Sequence, residues 1–198
     1  TEGLEGSEIV LHDINPRHLA DLHACCQAIL AQLDRSGRFT VRATTALPGA
    51  LRGADCVILT ITTGGLDAME HDLEIPYTYG IWQPVGDTVG PGGISRALRN
   101  VPVVVGLARE MERQCPDAWL LNISNPLSAI TRCVWRETGI RCIGLCHELY
   151  STLAQLQGIL GAKDWRTDFD CVSVGVNHQP WIIRLSYQGR DAFPAVRK

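Results

Sequence analysis

No apolar run in the chain reaches the roughly 18 residues that a membrane-spanning helix needs. The opening TEGLEGSEIV has neither the basic start nor the apolar stretch of a signal peptide. A membrane partner is therefore not expected, and the cytoplasm is the expected compartment. Positive charge is not in surplus. Lys and Arg number 18 against 21 Asp and Glu, for a formal net charge of −3, and they are scattered, so no basic stripe exists to neutralise a row of phosphates and nucleic acid is not an expected partner. No CxxC pair occurs although the cysteines number 8. Most of them lie inside apolar stretches and read as buried, reduced thiols rather than a disulfide framework, with Cys146 set apart below. What the chain does have is apolar bulk: 45% of its 198 residues are hydrophobic, enough for one substantial core or for one core and part of a second.

That bulk is distributed as short β-branched runs alternating with longer helical segments. Strands are expected at Glu8 to Asp13, Thr40 to Ala43, Cys56 to Thr62, Trp119 to Ser124 and Arg141 to Leu145. Helices are expected at Pro16 to Leu33, where Pro opens the first turn, at Leu47 to Gly53, at Ile94 to Gln114 with a break at Pro102, at Pro126 to Thr138 and at Glu148 to Leu160. Strands separated by helices imply an α/β fold, a doubly wound parallel sheet of Rossmann type that binds ligands at the carboxyl ends of its strands. After Leu160 the alternation stops. Asp170 to Val176 and Trp181 to Tyr187 read as two successive strands. The domain division expected is a nucleotide-binding unit over residues 1–145 and the beginning of a second, mixed α/β unit over residues 146–198.

Asp13, at the end of the first strand, stands where such folds hydrogen-bond the ribose of NAD, although an Asp there also serves as a turn or helix cap. A glycine-rich phosphate loop should precede that acid by about 20 residues. Only twelve residues precede Asp13, and Gly3 and Gly6 neither follow a strand nor open a helix. The loop and its strand are expected to lie outside this chain, which reads as a piece cut short at both ends and, without the loop, as a weak NAD binder.

Segments with chemical potential fall at or after the strand ends: TTGG (Thr62 to Gly65), GIWQPVGDTVGPGG (Gly80 to Gly93), NISNP (Asn122 to Pro126), GLCHE (Gly144 to Glu148) and GVNHQPW (Gly175 to Trp181). They are expected to converge on one crevice. Cys146 and His178 read either as a thiolate and imidazole pair suited to a borderline transition metal, or as a buried thiol and a hydrogen-bonded core histidine. The glycine-rich segment reads as a surface loop, as backbone approaching a cofactor phosphate or as a substrate lid. Asn122 and Asn125 read as turn formers, Asn125 capping the helix that Pro126 opens, or as amides that hold the nicotinamide ribose and sugar hydroxyls.

Taken in order, VLHDIN, LRGADCVILT, QPVGDTVGPGGISRALRNVPV, NISNP, GLCHE and GVNH resemble family 4 of the glycoside hydrolases over about Glu8 to Trp181. The resemblance implies a lactate-dehydrogenase-like NAD domain followed by a mixed α/β catalytic domain, a homodimer or homotetramer, and NAD with a Mn2+-like divalent metal as cofactors. Such enzymes depart from the paired-carboxylate route of other glycosidases. Hydride passes from sugar C3 to NAD, the metal stabilises the species left when C2 loses its proton, and the glycosidic oxygen leaves by elimination. Carried onto this chain, Cys146 and His178 resemble the metal ligands, Asn125 the sugar contact, Asp13 the ribose contact with Asn122 beside the cofactor, and Asp87 an acid group. The tyrosine base of the family is expected beyond Lys198.

Two departures bear on substrate. Phosphoglycosidases of the family usually carry Asp after the metal Cys, whereas this chain has His147 and then Glu148; many members carry Arg before the first GG, where this chain has Thr62 and Thr63. The CHE triplet and GIWQPVGDTVGPGGISRALR (Gly80 to Arg99) look most like the α-galacturonidase branch, with α-glucuronidases next. An α-linked uronic acid is the expected substrate, with His147 at the sugar and in the chemistry, and Arg96 and Arg99 as candidates for a carboxylate clamp. Two other readings compete: a lactate- or malate-type dehydrogenase, which needs a His–Asp relay and no metal, and a binding domain that has kept the fold without the chemistry.

Overall fold

The structure, a computed structural model, describes residues 3–35 and 37–197. In chain order it contains β1 (Glu8–His12), α1 (Pro16–Gln32), β2 (Thr40–Thr44), α2 (Leu47–Leu51), β3 (Cys56–Leu59), α3 (Gly65–Thr78), α4 (Gly90–Gln114), β4 (Trp119–Asn122), α5 (Leu127–Glu137), β5 (Arg141–Gly144) and α6 (Glu148–Leu160). These are followed by α7 (Trp165–Asp168), β6 (Phe169–Val176), β7 (Gln179–Tyr187), β8 (Arg190–Asp191) and α8 (Phe193–Val196). β1 pairs with β2 in parallel, and β3, β4 and β5 form a second parallel sheet in that order. The Rossmann-like parallel α/β pattern expected of the sequence is present. β6, β7 and β8 form an antiparallel sheet.

Local chemistry explains the boundaries. The Asn15 side chain accepts hydrogen bonds from the backbone N–H of Arg17 and His18, and Pro16 supplies a preset φ, so α1 starts there. Gly161, at φ +66°, lets the chain leave α6 in the left-handed region. The main core packs Val104, Ala108 and Met111 of α4 and Ile130 and Val134 of α5 against Leu59, Leu120 and Cys142 of the sheet. A second core joins Leu153 of α6 to Leu185 of β7 and Ala192. No helix among the described residues is long and apolar enough to cross a membrane.

Several expectations need correction. α4 runs unbroken through Pro102, because the packing of Val104, Val105, Ala108 and Met111 outweighs the single helical hydrogen bond that proline removes. α3, which follows TTGG, was not expected at all. The strand ending at Leu59 is three residues shorter than the run to Thr62 suggested. Burial of the thiols holds for Cys115 and Cys142, whereas Cys25 and Cys56 are exposed. Asn125 does not cap α5: the capping position is Pro126, and the Asn125 amide bonds elsewhere.

Candidate active site

The in-register ends of β3, β4 and β5, at Leu59, Asn122 and Gly144, set the floor of a crevice. The loops above them are tied together: Ile123 N–H donates to Leu59 O, Leu145 N–H to Asn122 O, and Ile61 N–H to Ser124 Oγ at 2.7 Å. Three of the predicted segments, Gly80–Gly93, NISNP and GLCHE, meet a fourth, GVNHQPW, at this edge. TTGG stands at the start of α3, where Thr63 N–H donates to Asn100 Oδ1.

GVNHQPW supplies the turn between β6 and β7. Val176 pairs with Gln179, so Asn177 and His178 form the turn, and His178 takes φ +59°, the left-handed region that costs a non-glycine residue about 1 kcal/mol. Glu148 helps to hold this conformation, its Oε2 accepting the His178 backbone N–H at 3.0 Å. The imidazole then faces Cys146, with Nε2 3.7 Å from Sγ. On the other side its Nδ1 lies 2.9 Å from Thr88 Oγ1 and 3.5 Å from Asp87 Oδ1. Asp87 Oδ2 accepts from Asn125 Nδ2 at 2.8 Å. A continuous polar chain therefore runs from Asn125 through Asp87, Thr88 and His178 to Cys146.

Cys146, Glu148 and His178 each bring one potential ligand atom, all within 4.8 Å of one another. A tetrahedral ion held by S and N at about 2.3 and 2.1 Å would separate those atoms by about 3.6 Å. The observed Sγ–Nε2 distance of 3.7 Å fits a shared ion. Beside them lies a cavity of about 200 Å³ lined in part by Ser128, Cys146, Glu148 and Asn177. The Asn177 side-chain oxygen is buried without a hydrogen-bond partner among the described residues. Glu148 is the ligand candidate that sequence reasoning missed. In the sequence it stands only as the residue after His147, and the signal available was its position two residues past Cys146.

Other candidates stand apart. Asp13 Oδ1 accepts the Asn15 N–H at 2.7 Å, the turn role weighed for it, and its other oxygen has no hydrogen bond among the described residues. Asn122, expected beside the cofactor, is fully buried. Its amide donates to Thr131 Oγ1 and Leu127 O while its oxygen accepts Ser124 N–H, so its polar atoms are committed within the protein. His147 is exposed and forms no side-chain hydrogen bond among the described residues. Arg99 is not available as a clamp: it makes a bidentate ion pair with Asp72, whose side chain is 1% exposed, and also donates to Ser95 Oγ. The guanidinium holds the Asp72 carboxyl below the usual carboxylate range against the opposing effect of burial. Arg96 lies nearer the site, its Nε donating to Asn125 O at 3.3 Å.

The crevice, the four converging loops and the cluster of thiol, carboxyl and imidazole groups define an α/β protein with a candidate metal centre. The family model for family 4 glycosyl hydrolases matches residues 1–162, and the chain belongs to that family. An alpha-galacturonidase of Bacillus subtilis (strain 168) is 40% identical over 169 residues, covering 82% of this chain and 38% of that protein. An alpha-galactosidase of the same organism is 35% identical over 199 residues, covering 100% of this chain and 45% of that protein. The 6-phospho-beta glucosidase of Thermotoga maritima, solved with manganese, NAD+ and glucose-6-phosphate, superposes with a TM-score of 0.82 at 26% identity, covering 96% of this chain and 44% of that one. The chain thus spans less than half the length of each of these two curated relatives.

Proposed function

We propose that the protein is an NAD- and divalent-metal-dependent glycosidase that hydrolyses α-linked uronic acid, with an α-galacturonide as its substrate. The convergence of Cys146, Glu148 and His178 at the strand ends, with Asp87 and Asn125 hydrogen-bonded beside them, is the observation that carries this reading. It is supported by a donor set that mixes sulfur, carboxylate and imidazole, which suits a borderline divalent transition metal and is not needed by a metal-free dehydrogenase. When bound, NAD would supply a hydride acceptor and the divalent metal a Lewis acid for sugar oxygens.

In this reading Cys146 and His178 hold the metal, and Glu148 completes the set or steadies the His178 turn. Asn125, its amide fixed by Asp87, faces a sugar hydroxyl, and Asp87 moves a proton at its carboxylate. The free oxygen of Asp13 accepts from a ribose hydroxyl. His147, exposed at the start of α6, carries no fixed negative charge and so tolerates a sugar carboxylate, while Arg96 is the remaining candidate to pair with it. Residues 1–145 act as the nucleotide-binding part and 146–198 open the catalytic part. Assembly as a homodimer or homotetramer belongs to the same reading. A neutral α-galactoside is the second substrate reading, favoured by the whole-chain match to a relative of that name.

The test is a side-by-side assay of 4-nitrophenyl α-galacturonide, α-glucuronide, α-galactoside and α-glucoside 6-phosphate with NAD and Mn2+ present. The galacturonide should be cleaved fastest. Preference for a neutral or phosphorylated sugar overturns the substrate assignment.

A further inference from the structure

Resting on the metal-centre reading above, we propose that Thr88 is a positioning residue whose hydroxyl, set between the Asp87 carboxylate and the His178 imidazole, fixes the ring with its Nε2 lone pair toward the metal position. The direct distance from His178 Nδ1 to Asp87 Oδ1 is 3.5 Å, too long for a good hydrogen bond. Thr88 Oγ1 spans the gap, 2.9 Å from Nδ1 and 3.1 Å from Asp87 Oδ1. The Thr88 O–H donates to Asp87 Oδ1, so its oxygen is left to accept from Nδ1–H. The ring proton therefore sits on Nδ1. A neutral imidazole free in water favours the proton on Nε2, the nitrogen that faces Cys146 Sγ at 3.7 Å, and that tautomer has no lone pair to offer an ion there. The chain from Asp87 through Thr88 reverses the preference, as the outer partners of a metal-bound histidine do.

The backbone around Thr88 is built to keep it in place. A Cβ on Gly93 would lie 2.3 Å from the Thr88 carbonyl carbon and oxygen, so only glycine lets the first turn of α4 pack against it. Gln83 braces the same loop, its Nε2 donating to Val89 O at 2.9 Å and its Oε1 accepting Gly92 N–H at 3.2 Å. On the far side Asn125 pins Asp87. Thr88 is thus held from three directions, with its hydroxyl on the one ring nitrogen that the metal does not need.

Two readouts test this without relying on turnover. Nitrogen-15 NMR of the metal-free protein should show His178 with its proton on Nδ1, and the same in Thr88→Ser. In Thr88→Val, which keeps the shape and removes the hydroxyl, the ring should shift toward the Nε2–H form. Titration with Co2+, followed by the thiolate-to-cobalt absorption band, should show affinity about 10- to 100-fold weaker in Thr88→Val and near the unchanged value in Thr88→Ser. An Nε2–H ring in the unchanged protein, undiminished Co2+ affinity in Thr88→Val, or equal losses in the two variants would overturn the proposal. A protein with His178 protonated on Nδ1 but no thiolate band on adding Co2+ would instead bring down the metal reading beneath it, and this role with it.

Discussion

Cys142 and Cys146 stand one strand-end apart and have opposite surroundings. Cys142 is 2% exposed inside β5, where burial pushes its thiol pKa up and leaves it unreactive. Cys146 lies just past the strand, accepts the Glu148 N–H at 3.4 Å and faces His178 across the crevice. Cys146→Ser and His178→Ala should therefore each abolish metal-dependent turnover while circular dichroism shows the fold retained. Full activity in either variant would remove that residue from the site. Glu148→Gln should weaken Mn2+ binding about 10-fold, since it changes a candidate ligand that also accepts the His178 backbone N–H; calorimetric titration reads this directly. The residues of GLCHE and GVNH were legible because thiolate and imidazole have few common uses at strand ends. The left-handed backbone of His178 was not, since nothing in a single sequence marks which residue of a β-turn takes positive φ once no glycine is there.

At the scale of elements, the site depends on how α3 and α4 frame the loop between them. The Asp72–Arg99 pair joins the two helices, and a Cβ on Gly86 would meet Asp72 Cβ at 3.2 Å, so the loop rests on the buried carboxylate. Because Asp72 has its folded pKa lowered, first by the Arg99 hydrogen bond, its contribution to stability is present above the unfolded value of about 3.9 and is lost as pH falls through the folded value. Asp72→Asn should cost about 3 kcal/mol at neutral pH by denaturant unfolding, with the gap to the unchanged protein narrowing below about pH 4. Gly93→Ala should push Thr88 and Asp87 away from His178 and cut metal affinity more than it lowers Tm. This frame was the least legible part of the fold. Gly64 and Gly65 open α3 in left-handed backbone that reads as a loop, and a buried Asp72 and Pro76 interrupt the apolar period on which helix prediction depends. The parallel strands were read to within a few residues because alternating apolar runs and helical stretches leave few other arrangements.

For the molecule as a whole, the family follows from the order of its segments, while the substrate depends on a few side chains around the crevice. His147 and Arg96 are the local contributors proposed here for a uronic acid, and Arg99, which looked equivalent in the sequence, is held away by Asp72. Chelation of divalent metal should abolish turnover, and added Mn2+ should restore it. In the reading proposed here, one metal centre draws its ligands from GLCHE and GVNHQPW, with the Gly80–Gly93 and NISNP loops bracing it. Anomalous diffraction at the manganese edge, from crystals of the protein grown with Mn2+, tests it most directly. A single peak within bonding distance of Cys146 Sγ and His178 Nε2 is the predicted result; an ion bound elsewhere in active protein, with none between those two atoms, would contradict it.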